Sequence, residues 1–284
     1  MSAEKKSVPI SFEFFPPNTP VGDGKLKTVV QELGALEPEF FSVTYGAGGS
    51  TREKTLNTVT AIAQAGFEAA PHLSCVGSTR QGLREILATY RAQNIRRIVA
   101  LRGDLPSGTA TAGEFRYAAE LVGFIRETQG NDWHIEVAAY PEYHPEQRYA
   151  KRDLQHYADK VTAGANSSIT QFFFNPDCYF HFVEQTRKLG ATVPVVPRIM
   201  PFHNYSKIAQ FAARDGIDIP RGVALKMEGL MDDSTSIRAF GLDVITNLCE
   251  RLIAGGAPGI HFYTMNQSAL TIELCRRLGL APAQ

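Results

Sequence analysis

Short apolar runs rich in β-branched and aromatic residues alternate with longer segments of helical period along the whole chain. Strands are predicted at Pro9–Phe14, Phe40–Thr44, Glu68–Leu73, Arg97–Leu101, His134–Ala139, Ser168–Phe173, Val193–Arg198 and Gly259–Tyr263. Several are continuously apolar, the pattern of parallel strands covered on both faces. Helices are predicted between them at Gly24–Leu36, Arg52–Ala65, Arg80–Gln93, Glu114–Glu127, Lys151–Ala163, Cys178–Leu189, Tyr205–Arg214 and Asp233–Ala254. A last helix, Ser268–Leu278, follows the eighth strand. Gly164, Gly190 and Gly216 stand where left-handed helix ends favour a residue without a Cβ. Eight strands, each followed by helix, predict an α/β fold, a (β/α)8 barrel. An open doubly wound sheet shows the same alternation, and periodicity does not separate the two. The strand count and the length of 284 residues favour the barrel, as one domain over residues 1–284. Two segments break the regularity. Residues 104–113 read as a long Gly/Ser/Thr/Pro loop, and residues 217–232 as an irregular stretch carrying Lys226 and Glu228.

Against this frame, unusual polar residues collect at one end of the strands. Glu13 ends the first, Thr44 the second and His72 the third. Arg102-Gly103-Asp104 ends the fourth, Tyr140 follows the fifth, and Gln171 lies in the sixth. Arg198 ends the seventh, and Thr264 and Asn266 follow the eighth. The C-terminal end of the strands is where barrel active sites lie. A ring of polar residues there is hard to obtain from core packing alone. Glu13 is the sharpest member, a carboxylate between aromatics in Phe12-Glu13-Phe14-Phe15-Pro16-Pro17. Burial raises a carboxyl's pKa and can keep it protonated, as a general acid requires. The alternative is a structural carboxylate paired with a barrel Arg or Lys.

The composition excludes several classes. The chain is 44% apolar with a formal net charge of zero, which gives no electrostatic case for nucleic acid or an anionic membrane surface. No apolar run approaches a membrane span. The polar start, Met1-Ser2-Ala3-Glu4-Lys5-Lys6, is no signal peptide. Cys75, Cys178, Cys249 and Cys275 are scattered, which suits reduced thiols in the cytoplasm better than disulfides or zinc. Tyr45-Gly46-Ala47-Gly48-Gly49-Ser50-Thr51 is a tight turn able to present N–H groups to a phosphate, but it is not the dinucleotide fingerprint. His144 sits in a loop stiffened by Pro141 and Pro145, without the clustered partners a metal needs. Asp153 and Lys160, seven apart on a helix, share a face. Phe211 reads as helix core, with stacking on a ligand the alternative. Lys226 is a candidate Schiff-base lysine of an aldolase-type barrel.

Six motifs occur in order: Phe12-Glu13-Phe14-Phe15-Pro16-Pro17, Thr44-Tyr45-Gly46-Ala47-Gly48-Gly49-Ser50-Thr51, Leu101-Arg102-Gly103-Asp104, Ala139-Tyr140-Pro141-Glu142, Ile169-Thr170-Gln171-Phe172-Phe173-Phe174 and His261-Phe262-Tyr263-Thr264. From about Pro9 to Gly279 the chain closely resembles the catalytic domain of bacterial-type 5,10-methylenetetrahydrofolate reductases. The resemblance implies a barrel flavoprotein with noncovalent FAD. It implies ping-pong reduction of 5,10-methylenetetrahydrofolate to 5-methyltetrahydrofolate by a reduced nicotinamide, NADH or NADPH, with NADH favoured. It matches the flavin-binding positions to Thr44, Tyr45, Ala47, His72, Arg102, Gly103, Asp104, Ala118, Tyr140, His144, Asp153 and Lys160. Glu13 matches the general acid, whose proton assists opening of the folate's five-membered ring before hydride arrives from the flavin. Asp104 matches a carboxylate near flavin and pterin, Gln171 a folate-bonding residue, and Phe211 one stacking on the folate or the nicotinamide.

Two positions depart from the bacterial pattern. Lys207 stands where Gln is familiar, and Gln267 where Arg is familiar. Lys207 is therefore expected to supply positive charge toward the folate's glutamate tail. The resemblance also implies self-association, and the chain's end just after the last barrel helix implies no regulatory domain and no feedback by S-adenosylmethionine. Two rivals remain at this level, a flavin-free aldolase using Lys226 and a non-catalytic flavin or folate carrier. The carrier has no need of Glu13.

Overall fold

The computed structural model describes residues 8–45, 49–103, 113–202, 204–230 and 233–281. Its strands are β1 (Ile10–Phe14), β2 (Phe41–Val43), β3 (Ala69–Ser74), β4 (Arg97–Leu101), β5 (His134–Ala139), β6 (Ser167–Thr170), β7 (Val195–Val196), β8 (Arg198–Ile199) and β9 (Ile260–Tyr263). Its helices are α1 (Pro20–Gly34), α2 (Gly49–Gln64), α3 (Arg80–Ala92), α4 (Ala118–Gln129), α5 (Ala150–Thr162), α6 (Pro176–Lys188), α7 (Tyr205–Asp215), α8 (Arg221–Gly229), α9 (Ser234–Ala254) and α10 (Ala269–Arg277). All strand pairings are parallel, in the order β7-β6-β5-β4-β3-β2-β1-β9-β8. The two outer strands of that order, β7 and β8, are consecutive in the chain and separated only by Pro197. The pairing passes from β6 to β9 across this proline, so the ring closes as the (β/α)8 barrel. A proline has no N–H to give to a ladder, which is why the expected seventh strand is two short pieces.

Alternation along the strands sorts the core into two parts. Phe12, Phe14, Phe41 and Phe262 join the large cluster with helix residues such as Leu26, Val30 and Leu33. Their rings pack across strands, with centroids 5.3 Å apart for Phe14 and Phe41 and 6.0 Å for Phe12 and Phe262. A separate small cluster of Phe40, Ala70, Val99 and Ile169 fills the barrel interior. The intervening positions carry polar groups. Ser11, Glu13, Ser42, His72, Glu136, Ser167 and His261 are all buried.

One expected irregular segment is ordered differently. Residues 221–229 within the stretch 217–232 form α8. Gly222 and Gly229 lower its helix propensity, and Met227 is its one buried residue, so no amphipathic stripe marks it in the sequence. Gln171, Phe172 and Phe173, expected within the sixth strand, lie beyond β6 as coil, with both phenylalanines buried. Gly216 is the left-handed C-cap of α7, with φ 69°. The loop 104–113 lies outside the described residues except for Gly113. No helix among the described residues is long and apolar enough to cross a membrane.

Candidate active site

Glu13 sits at the centre of the upper barrel, 1% exposed. Its strand ends one residue on, at Phe14, and the Asn266 side chain then accepts from Phe15 N at 3.0 Å and donates to Phe15 O at 2.8 Å. That clasp ties β1 to the turn after β9 and, with Pro16-Pro17, fixes the direction in which Glu13 projects. Register places Glu13 opposite Ser42 of β2 and Tyr263 of β9. One carboxylate oxygen accepts from Arg198 Nη2 at 2.5 Å. The other accepts from His261 Nε2 at 3.2 Å. A carboxylate only accepts, so His261 Nε2 carries the proton and its Nδ1 accepts from Ser11 Oγ at 2.7 Å. His72 Nε2 lies 3.8 Å from the same carboxylate oxygen, too far for a hydrogen bond, and has no hydrogen-bond partner among the described residues.

Arg198 reaches this carboxylate from β8. Its N–H, freed from the ladder after Pro197, is taken up by Thr170 Oγ1 at 2.8 Å. Its guanidinium donates through Nη1 to Gln171 Oε1 at 2.7 Å and lies 4.3 Å from the Tyr263 ring centroid. Gln171 Nε2 in turn approaches Asp215 Oδ2 at 3.4 Å, and Arg214 Nε donates to Asp215 Oδ1 at 2.6 Å. A polar chain therefore runs from β1 across the mouth to the end of α7.

Burial by itself would raise the Glu13 carboxyl. The Arg198 charge, the His261 hydrogen bond and His72 outweigh it and hold Glu13 well below the usual carboxylate range. This differs from the expectation that burial keeps Glu13 protonated, because the closed barrel brings an arginine onto it. Burial, partly offset by Glu13, lowers His72 to about 4, so its imidazole is neutral near pH 7 and the contact with Glu13 is not an ion pair.

A second group of residues gathers at the ends of β4 and β5. Arg102 donates to Glu146 at 2.6 Å and to Gly103 O at 3.2 Å. Gly103 has φ 83°, and a Cβ there would fall 1.8 Å from Ser74 Oγ, so only glycine fits. The Tyr140 and His144 rings meet edge-on at 4.6 Å. Asp153, buried on the first turn of α5, accepts from His144 N at 2.9 Å. Lys160, on the same helix, donates to Ala138 O at 2.5 Å. Burial lowers it to about 8, with Asp153 pulling the other way. Half-buried Thr44 and Tyr45 follow β2, and half-buried Ala118 begins α4. Ala47 and Asp104 lie outside the described residues.

The remaining predicted residues lie farther out. Phe211 of α7 is half-buried against the core with Arg214 5.0 Å from its ring centroid. Lys207 is exposed on the first turn of α7, and Gln267 is exposed after β9. Lys226 is exposed on α8, where it lacks the apolar burial that makes an amine nucleophilic. His261 and Asp215 were not singled out by sequence reasoning. The signal for His261 was its alternation with Tyr263 on the inward face of its strand, two positions from a polar strand end.

A closed barrel with an ionised network sealed in its upper interior, and polar groups around the strand ends, defines an enzyme of the (β/α)8 class with its chemistry at the mouth. The family model for methylenetetrahydrofolate reductase matches residues 1–279. The 5,10-methylenetetrahydrofolate reductase of Salmonella typhimurium is 40% identical over 274 residues, covering 96% of this chain and 91% of that protein. Its Escherichia coli counterpart is 39% identical with the same coverage. The chain belongs to the methylenetetrahydrofolate reductase family, an oxidoreductase family of folate one-carbon metabolism. Among solved structures, an uncharacterized protein from Clostridium thermocellum that binds two copies of 5-methyl-5,6,7,8-tetrahydrofolic acid superposes with TM-score 0.67 at 15% identity. It covers 96% of this chain and 94% of that one, and shows the shared fold. A phosphonopyruvate hydrolase superposes with TM-score 0.53 at 12% identity, covering 95% and 80%, and likewise shows the fold alone.

Proposed function

We propose that this protein reduces 5,10-methylenetetrahydrofolate to 5-methyltetrahydrofolate, with noncovalent FAD as cofactor, NADH as reductant and Glu13 as the general acid. The observation that carries the reading is Glu13 itself, a buried carboxylate at the end of a barrel strand in a chain of this family. The residues present fit a flavin dinucleotide. His72 offers a buried ring nitrogen with no hydrogen-bond partner among the described residues. Lys160 is a half-buried cation whose charge a pyrophosphate would stabilise, and Arg102 stands at the mouth as a second. Gly103, with no room for a Cβ, keeps the end of β4 low enough for a planar ring system to lie across it.

In this reading Thr44, Tyr45, Ala47, His72, Arg102, Gly103, Asp104, Ala118, Tyr140, His144, Asp153 and Lys160 hold the cofactor. Asp153 bonds a ribose hydroxyl, and Lys160 and Arg102 face the phosphates. When bound, FAD supplies the two-electron hydride chemistry between the nicotinamide and the one-carbon unit. Glu13 gives its proton to the ring nitrogen that leaves as the folate's five-membered ring opens. The bond between that nitrogen and the bridging carbon breaks, its electron pair goes to the nitrogen, and the carbon is left as an electrophilic iminium. Glu13 is then a carboxylate again, stabilised by Arg198 and His261. Gln171 bonds the pterin, Phe211 stacks on the folate or the nicotinamide, and Lys207 attracts the glutamate tail. One site takes both substrates in turn, which gives ping-pong kinetics.

The test is anaerobic. The purified protein is expected to be yellow, to bleach with NADH, and to recover its colour with 5,10-methylenetetrahydrofolate. Bleaching without folate-dependent recovery would remove the folate reading, and absence of bound flavin would remove the cofactor reading.

A further inference from the structure

Arg198 occupies a position that the reaction does not explain. It donates to Glu13 with one arm and to Gln171 with the other. These are the residue proposed to protonate the folate and the residue proposed to bind it. Its Nε is buried with no hydrogen-bond partner among the described residues, and its flat face rests on Tyr263. A general acid must carry a proton, whereas a guanidinium 2.5 Å away favours the ionised form. We infer that Arg198 is a positioning residue that couples the two, holding Glu13 ionised while the folate site is empty and loosening its hold when the folate takes Gln171.

The coupling follows from the geometry. Gln171 Oε1 accepts from Arg198 and from Phe172 N at 3.0 Å, and its amide makes only a long contact with Asp215. A pterin presents an amide edge of matching donors and acceptors. A Gln171 side chain that turns to it gives up Arg198 Nη1. The guanidinium, already short of a hydrogen-bond partner at Nε among the described residues, then recentres away from Glu13, which is buried before any ligand arrives, and the weakened pair lets burial favour the protonated carboxyl. The proton comes from solvent before the ring opens and leaves with the folate nitrogen, so the balance closes over one turnover. The other groups facing Glu13 do not replace Arg198. His72 of β3 is neutral near pH 7, His261 of β9 donates one hydrogen bond, and Tyr263 contributes a phenol whose ionisation burial suppresses. Ser42 of β2 meets the same His261 nitrogen at 3.2 Å rather than the carboxylate.

This inference rests on the folate reading, but part of its test does not. The Glu13 carboxyl is followed by infrared titration of the unliganded protein, with the spectrum of Glu13→Gln subtracted. In wild type the carboxylate signal is expected throughout the range in which the protein is folded. In Arg198→Leu the protonated signal is expected to persist about 1–3 pH units higher, the usual effect of one close opposite charge. Arg198→Lys, which keeps a charge, is expected to restore the ionised state. An Arg198→Leu titration that matches wild type would overturn the inference. Wild type alone supplies the second arm, which stands even if Arg198→Leu does not fold. Binding of folic acid at pH 5.5, measured by calorimetry in buffers of different ionisation enthalpy, is expected to take up more protons in wild type than in Glu13→Gln. Binding with no greater uptake in wild type would equally overturn it. Failure of folic acid to bind would count against the folate reading, and the infrared titration would still decide the hold of Arg198 on Glu13.

Discussion

In the proposed reading Glu13 is at once a structural and a chemical element. Both roles considered from sequence, pairing with a barrel arginine and proton donation, concern the same two oxygens. The ion pair with Arg198 makes the conjugate base cheap, and a cheap conjugate base makes a strong acid once it is loaded with a proton. Removing Arg198 from a buried pair leaves the carboxylate uncompensated, which typically destabilises by about 3–5 kcal/mol unless the group takes up a proton instead. Lys207 belongs to the same scale. It is exposed, its backbone N–H is capped by Asn204 Oδ1 at 2.9 Å, and in the proposed reading its side chain meets an anionic tail at the rim. Lys207→Ala is expected to raise the folate KM by about 2–5-fold, in line with a rim ion pair of up to about 1 kcal/mol, and to leave the NADH KM unchanged. Equal changes in both would show that Lys207 does not distinguish the two substrates. Glu13, His72 and Gln171 were legible in the sequence because each is polar where a strand should be apolar. The Arg198 contact was not, since it joins residues 185 apart and exists only when the barrel closes.

At the scale of elements, the strands were legible because parallel strands buried on both faces leave continuous apolar runs, and Arg97–Leu101 and His134–Ala139 have the predicted bounds. The seventh strand was not, because hydropathy alone does not show that Pro197 hands the pairing from β6 to β9. Helix α8 escaped for the opposite reason, having glycines and one buried residue where a helix usually announces itself by a stripe. Helix α7 carries Lys207 and Phe211 and ends at Asp215, against Gln171, so its last turn is part of the proposed site. Gly216 closes it with φ 69°. Gly216→Ala is expected to destabilise the protein by about 1 kcal/mol, seen as a lower urea midpoint, because alanine resists a left-handed conformation. An unchanged midpoint would mean that the cap is not needed to hold α7.

For the whole molecule, the buried charges make stability depend on pH in two steps. His72 has a folded value of about 4 against an ordinary 6.5. Its contribution is complete above pH 6.5 and is lost as pH falls toward 4. Integrated over that window it amounts to about 3 kcal/mol. Glu13 and Glu136 are held below the carboxylate range, so their contribution is present above the unfolded value near 4.5 and lost as pH falls below it. Glu136 works at the opposite end of the barrel interior from the mouth, where burial is outweighed by His134, Ser167 and Arg97, the last donating at 2.8 Å. Urea midpoints are therefore expected to be flat from pH 8 to 7, to decline from 6.5, and to fall more steeply below 4.5. His72→Gln is expected to flatten the upper step and leave the lower one. Survival of the upper step in that variant would move its origin to another histidine.

The central claim, that Glu13 supplies a proton to the folate and nothing to the flavin, is tested most directly by measuring the two half-reactions of Glu13→Gln separately in anaerobic stopped flow. Reduction of the bound flavin by NADH is expected to proceed within about 2-fold of wild type. Reoxidation by 5,10-methylenetetrahydrofolate is expected to slow by about 10²–10⁴-fold, the range for loss of a positioned general acid. Equal loss in both half-reactions would contradict the account and make Glu13 a residue that holds the site together.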